Sequence, residues 1–299
     1  MIARLKVAAA QYPLEAFATL GAYRDKLARW VAEAAGNGAQ LLVFPEYGAM
    51  EYAAASGAAV MADAAASLAA VSDALAEMDA AHAELARRHG VHILAASGSS
   101  ARAGGRYVNA ARLVAPSGRI GTQEKLIMTP FERDWGVSAG TGLKVFDTAL
   151  GRIGVAVCYD SEFPLLVRAQ AEAGAEIVLI PSCTEFVSGY NRVRTAALAR
   201  ALENTCVSVL SPTVGEAPWS PIDRSAGAAG VFVPAEHGFS DTGVLAQGDL
   251  DRPQWVHAEV DLEGLRRLKA SGEMRNSTDW EKQPGAVALA PHVEVMALT

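Results

Sequence analysis

The chain reads as an α/β fold in which two largely covered sheets stack face to face with helices outside. Three observations point there. Short apolar strands alternate with amphipathic helices in both halves of the sequence. Several strands are apolar at every residue, as expected of a sheet covered on both faces. No Pro/Gly/Ser-rich linker separates the halves, so one domain is expected over residues 1–274, followed by a polar tail over 275–299.

The first strand is Ile2 to Gln11. The helix after it carries Leu20, Tyr23, Leu27, Trp30, Val31 and Ala34 on one face and Arg24, Asp25, Arg29 and Glu33 on the other, and ends at Gly36-Asn37-Gly38. Leu41 to Phe44 is a wholly apolar strand that stops at Pro45-Glu46. An alanine-rich helix is expected from Ala53 to Arg88, as scaffold, with His82 at the edge of the core rather than a metal ligand. Val91 to Ala95 is a strand. Tyr107 to Ala115 and Arg119 to Lys125 form a hairpin about Pro116-Ser117-Gly118. A second hairpin joins Leu143–Asp147 to the run from Ile153 into Cys158, which places Cys158 and the Lys125 strand end near each other in one sheet. Helices follow at Phe163 to Glu172, Tyr190 to Asn204 and Leu262 to Lys269. Strands follow at Glu176 to Ile180, Cys206 to Leu210, Gly230 to Val233 and Gln254 to Val260. The tail from Arg275, with Pro284 and Pro291, is expected to pack at a subunit interface.

Composition removes several function classes. With 51% hydrophobic and 20% charged residues in 299, the chain has the balance of a soluble globular protein. It lacks the roughly 18 uninterrupted apolar residues of a spanning helix, so no membrane partner is expected. Charges inside the first apolar run suit a strand rather than a signal peptide. Three cysteines, an odd number, argue against a disulfide framework and for a cytoplasmic setting. A net charge of −7 without a basic cluster disfavours nucleic acid. Six scattered histidines without H-E-x-x-H or C-x-x-C spacing give a metal little support, and the phosphate-binding glycine motifs of nucleotide cofactors are missing.

The residues that carry chemistry stand at strand ends. The run Gly154 to Val157 ends at Cys158, and Phe163-Pro164 then opens a helix. Such an elbow presents a side chain at the sheet edge and aims the next backbone N–H groups at whatever binds the sulfur. A small buried hydrophobe is the other reading of a free cysteine. Glu46 follows a buried strand and a proline in the same way. Lys125 ends a hairpin strand, with Glu132 seven positions later. A thiol with carboxylates and an ammonium, but no obvious histidine partner, is an unusual nucleophilic set.

Phe44-Pro45-Glu46, then Lys125 with Pro130-Phe131-Glu132, then Cys158-Tyr159-Asp160 followed by Phe163-Pro164, with Arg200 to Asn204 downstream, resembles the carbon–nitrogen hydrolase family, the nitrilase superfamily. The likeness points toward the branch whose members are sometimes fused to an N-acetyltransferase. It implies a four-layer αββα sandwich, no metal or organic cofactor, and homo-oligomers built from a dimer. It also implies roles. Cys158 attacks a carbonyl or nitrile carbon to form a thioester, Glu46 is the general base and acid, Lys125 and the Tyr159 N–H hold the oxyanion, and Glu132 supports Lys125.

Many family members carry arginine where this chain has Glu162, so a substrate does not transfer with the resemblance. Candidate pocket residues are Tyr47, Trp135, Tyr159, Glu162, Cys183, Thr184, Tyr190 and Trp219, while Cys206 reads as packing. The expected activity is hydrolysis of a non-peptide amide, with a nitrilase or an amine-dependent acyltransferase as alternatives and a catalytically silent scaffold as the non-enzyme reading. Glu162 and Glu185 hint at a cationic or amine-bearing substrate.

Overall fold

The computed structural model describes residues 2–219, 222–237, 239–283 and 293–298. Its elements in chain order are β1 (Arg4–Pro13), α1 (Leu20–Gly36), β2 (Leu41–Val43), a 3-10 segment (Gly48–Ser56), α2 (Ala58–Met61), α3 (Ala64–His89), β3 (His92–Arg102), β4 (Arg106–Val114), β5 (Ile120–Glu124), α4 (Pro130–Asp134), β6 (Leu143–Thr148) and β7 (Gly151–Val155). Then come a 3-10 elbow (Cys158–Glu162), α5 (Pro164–Glu172), β8 (Ile177–Ser182), α6 (Val187–Asn204), β9 (Val207–Glu216), β10 (Arg224–Ser225), β11 (Gly230–Phe232), β12 (Val244–Gln247), β13 (Gln254–Asp261), α7 (Leu262–Ser271), α8 (Asn276–Asp279) and β14 (Val293–Ala297).

Two half-sheets result. In one, β13 and β2 flank β1, β3 follows β2 in parallel, and β3, β4 and β5 form an antiparallel meander. In the other, β7, β8 and β9 run parallel between the β6 hairpin arm and β11. Among the described strands they pair at one corner, where Tyr12 pairs with Thr213 and Pro13 with Val214. Alternation along β1 explains the apolar runs. Leu5, Val7 and Ala9 meet Ile153, Val155, Ile177 and Val209 of the opposite sheet, while Ala8, Ala10 and Tyr12 face Leu27 and Val31 of α1 and Val71 of α3. Each fully buried aliphatic side chain stabilises such a layer by about 1.5–3 kcal/mol. The α helices cover both outer faces, which is the expected αββα order.

Three expectations are revised. The helix expected over 53–88 is three pieces, because Gly57 takes φ 98°, closed to most side chains, and the Asp63 side chain accepts from Ala66 N to start α3 afresh. Strand β3 continues through the small polar run Ser97-Gly98-Ser99-Ser100. Gly98 is required there: a Cβ on it would lie 2.7 Å from Ala49 Cβ of the 3-10 segment. Lys125 and Cys158 do come close, but from opposite half-sheets, since β5 pairs with β4 whereas β7 pairs with β6 and β8. Of the expected tail, residues 293–297 add β14 in parallel to β6, with Leu298 buried, while Pro284 and Pro291 lie outside the described residues.

Candidate active site

The C-terminal ends of β2, β7 and β8 converge, and ligand sites of α/β sheets form at such ends. Glu46 follows β2, Cys158 follows β7 and Cys183 follows β8; Lys125 comes from across the sandwich, after β5. Two of these turns are strained. Tyr47 at φ 55° and Cys158 at φ 46° adopt left-handed backbone without being glycine, at a cost of about 1–3 kcal/mol each. Surrounding bonds hold them there. Tyr47 N donates to Ser97 Oγ at 3.1 Å, Ser161 Oγ donates to Cys158 O at 2.6 Å, and Arg200 Nη1 donates to Ser161 O at 3.0 Å. Asp160 ties the elbow to the lysine segment, its carboxylate accepting Leu126 N at 3.0 Å and Ile127 N at 2.8 Å.

Glu46, Lys125, Glu132 and Cys158 are 1%, 1%, 2% and 4% exposed, so their charges are set by one another rather than by water. Lys125 Nζ lies 2.7 Å from Glu46 Oε1 and 2.6 Å from Glu132 Oε2. Burial alone would lower the lysine pKa, but the two carboxylates and the nearby thiol outweigh it and hold the ammonium charged above the usual lysine range.

The two carboxylates differ. Glu132 Oε2 accepts Thr129 N and Thr129 Oγ1, both at 2.9 Å, closing a capping box on α4, and Glu132 Oε1 accepts Tyr47 OH at 2.7 Å. Lys125 first, and then these donors, overcome burial and keep Glu132 ionised, its pKa below the usual value. Glu46 accepts Asn109 Nδ2 at 3.0 Å and Cys183 N at 3.0 Å besides Lys125. Burial and the charge of Glu132 prevail over Lys125 there, so Glu46 binds a proton more readily than an ordinary carboxylate. Two like charges ~4 Å apart oppose each other by about 4 kcal/mol at an effective dielectric near 20, so the pair needs its surrounding donors to stay anionic, and Glu46 is the member that takes up a proton first.

Burial, then the charge of Glu46, raises the Cys158 thiol well above its ordinary pKa, against the pull of Lys125. Ser182 Oγ donates to Cys158 Sγ at 3.5 Å, and the thiol points at Cys183 O, 3.9 Å away. A protonated thiol beside a proton-accepting carboxylate, a fixed cation and a fixed anion is an arrangement in which proton removal accompanies nucleophilic attack.

The expected pocket residues divide. Tyr47 and Cys183 bond directly to the carboxylates, and Trp135 stands edge-on to the Tyr47 ring with centroids 6.0 Å apart. The Tyr159 ring packs edge-on against Phe163 at 4.9 Å. Thr184 is tied by its hydroxyl to Ala226 O at 2.9 Å, and Tyr190 is buried in the core of the second sheet. Glu162 pairs with Arg192 of α6 at 3.4 Å, in an open groove of about 640 Å³ that Ser188 and Arg200 also line. Trp219 is fully buried in the cluster that holds Tyr47. Cys206 packs as expected. His82 is wholly buried rather than at the core edge, Nδ1 2.8 Å from Met78 O, its pKa pushed down to about 4 by burial.

Sequence reasoning passed over Asn109, Ser97, Asp160, Ser182 and Thr129. Thr129 was legible, since Thr-x-x-Glu is a capping-box pattern. Asn109 and Ser97 sit inside strands whose other side chains pack, and nothing local marks them.

The layers are those of a nitrilase-fold protein. Similar solved structures include a carbon-nitrogen hydrolase from Helicobacter pylori G27, with TM-score 0.74, 21% identity, and 90% of this chain and 92% of that one covered. Nit3 of Saccharomyces cerevisiae, described as a member of branch 10 of the nitrilase superfamily, superposes with TM-score 0.70 at 18% identity over 91% and 95% of the two chains. The chain belongs to the carbon-nitrogen hydrolase family, whose sequence model matches residues 6–268. It is 39% identical over 198 residues to the probable hydrolase YhcX of Bacillus subtilis strain 168, covering 66% of this chain and 38% of that protein. It is 32% identical over 187 residues to an (R)-stereoselective amidase of Pseudomonas sp, covering 60% and 66%. The chain thus spans well under half the length of the Bacillus relative. No described helix is long and apolar enough to cross a membrane.

Proposed function

We propose that the chain is an amidase-type hydrolase that cleaves a non-peptide C–N bond through Cys158. The observation that carries this reading is the unequal carboxylate pair around Lys125: Glu132 held as an anion, Glu46 poised to take a proton beside the thiol. In the first half-reaction Cys158 Sγ attacks the amide carbon as its proton passes to Glu46, and the carbonyl electron pair moves onto oxygen. Lys125 Nζ and the Tyr159 N–H stabilise that oxyanion. Glu46 returns the proton to nitrogen, the C–N bond breaks, and ammonia or an amine leaves a thioester on Cys158. Water, deprotonated by Glu46, then attacks the thioester carbon, the C–S bond breaks, and the thiolate recovers the proton as the acid departs. Glu132 never leaves its anionic form; it keeps Lys125 charged and in place.

A glutamate-to-glutamine mutant of an amidase from Nesterenkonia sp. AN1, with TM-score 0.65 and 21% identity, is described as carrying the Michael addition of acrylamide at its active-site cysteine, which supports a reactive cysteine on this scaffold. The test is a panel of small amides and nitriles, read by ammonia release together with intact-protein mass spectrometry of quenched reactions. A mass increase equal to the acyl group, absent from Cys158→Ala, is expected on amides. Turnover that survives Cys158→Ala would end the proposal, and equal turnover of nitriles would move it to a nitrilase.

A further inference from the structure

A second group besides Lys125 bridges the two carboxylates: the Asn109 amide, from the middle of β4. Its Nδ2 donates to Glu46 Oε1 at 3.0 Å and to Glu132 Oε1 at 3.3 Å. Its Oδ1 accepts from Ser97 Oγ at 2.7 Å, and Ser97 Oγ accepts the Tyr47 N–H at 3.1 Å. The direction of this relay is forced. A backbone N–H can only donate, so the one proton of the Ser97 hydroxyl is free for Asn109; an amide oxygen can only accept, so the Asn109 NH2 turns to the carboxylates. The relay starts at Tyr47, the strained residue that follows Glu46 in the chain. It therefore links the backbone turn that carries Glu46 to the donor that Glu46 receives.

We propose that Asn109 is a positioning residue whose amide, oriented by Ser97, holds Glu46 and Glu132 side by side as proton-free acceptors and so keeps Glu46 able to take the Cys158 proton. The proposal rests on the base role given to Glu46.

The surroundings show why a neutral donor matters at this point. The titratable groups facing Glu46 are Lys125 after β5, Glu132 of α4, Cys158 and Asp160 of the elbow, and the Cys183 thiol after β8, with Tyr47 next to it in the chain. All but Lys125 are neutral or negative. Besides the Cys158 thiol, whose proton it is to take, Glu46 relies on three donors, Lys125 Nζ, Cys183 N and Asn109 Nδ2. Losing the amide removes one of them and one of the donors to Glu132 as well, so Lys125 alone would bridge two carboxylates. Glu46 would then bind a proton at higher pH and be unable to accept one from the thiol. Aspartate at 109 would add a third carboxylate to the same ammonium.

The experiment is the pH profile of Cys158 alkylation by iodoacetamide, read by site-resolved mass spectrometry, in wild type, Asn109→Ala and Ser97→Ala. In Asn109→Ala the acid limb is expected to move to higher pH, with reactivity at a fixed pH on that limb about tenfold lower, the size expected from losing one hydrogen bond to a charged group. In Ser97→Ala, where the amide is free to turn, a smaller shift in the same direction is expected. Should Asn109→Ala not fold, Asn109→Leu, close in size and without a donor, is read instead. A residue that merely fills space would change the rate uniformly and leave the limb where it is, and that result overturns the proposal. No substrate is needed, so an inert Cys158 in the wild type would instead count against the proposed hydrolysis.

Discussion

Replacing Glu46 by glutamine separates its charge from its shape. The side-chain oxygen can keep Lys125 at 2.7 Å and Asn109 at 3.0 Å as donors, and the new NH2 then faces the Cys183 N–H, which had donated at 3.0 Å. One buried hydrogen bond is lost, at about 1–3 kcal/mol, while a carboxylate that burial disfavours as an anion is gone. The two changes oppose each other, so the variant should fold with a thermal midpoint near that of the wild type. Catalysis has no such compensation. A general base is worth about 10²–10⁴ in rate, and here one group serves attack, departure of the amine and deacylation, so turnover should fall by at least ~10³. The thiol supplies an independent sign. With Glu46 gone, the acid limb of Cys158 alkylation that this base sets should disappear, leaving only the thiol's own titration. The Glu46 charge is the second cause, after burial, that raises Cys158, so that remaining titration should lie at lower pH even as turnover collapses. Ammonia release measures the first effect, and alkylation of Cys158 against Cys183 and Cys206 across pH measures the second. Turnover within tenfold of the wild type, or a thiol titration that does not move, would refute the base assignment.

Lys125→Arg should lower turnover by at least ~10², because a planar fork cannot occupy a point held 2.7 Å and 2.6 Å from two different carboxylates; near-normal kinetics would make this lysine structural. Asp160→Asn places an NH2 against one of two backbone N–H donors, so turnover should drop about tenfold or more through displacement of the Lys125 segment, with Cys158 still alkylated; unchanged kinetics would dismiss the tie. His82, buried and held neutral, has its pKa pushed down to about 4 from 6.5. A depressed value means that its contribution is present above pH 6.5 and lost as pH falls through 4. Urea midpoints at pH 7 and pH 4 should therefore show the wild type losing on the order of 3 kcal/mol relative to His82→Leu; parallel losses in both proteins would contradict this.

The sequence by itself determined the layers and most of the chemistry's residue types. Apolar runs such as Leu41 to Phe44 announce strands covered on both faces, because period-two geometry leaves no face for polar residues. Glu46 and Cys158 stand out because a charge or a thiol directly after such a run lies at a sheet edge wherever the strand goes. What the order of residues did not contain is where separate strand ends meet. Lys125 and Cys158 looked like neighbours in one sheet from hairpin spacing, yet they approach across the sandwich, since the choice between stacking and pairing rests on side-chain packing over the whole interface. Gly57 and Asp63 broke a helix that alanine propensity favoured. The buried partners Asn109 and Ser97 were illegible for the same reason, and Asp160, though within the Cys158-Tyr159-Asp160 motif, gave no sign of the Leu126 and Ile127 amides it holds. Each acts through a bond 12 to 63 residues away in the chain, and only the tertiary fold gives an interior asparagine two carboxylates to hold.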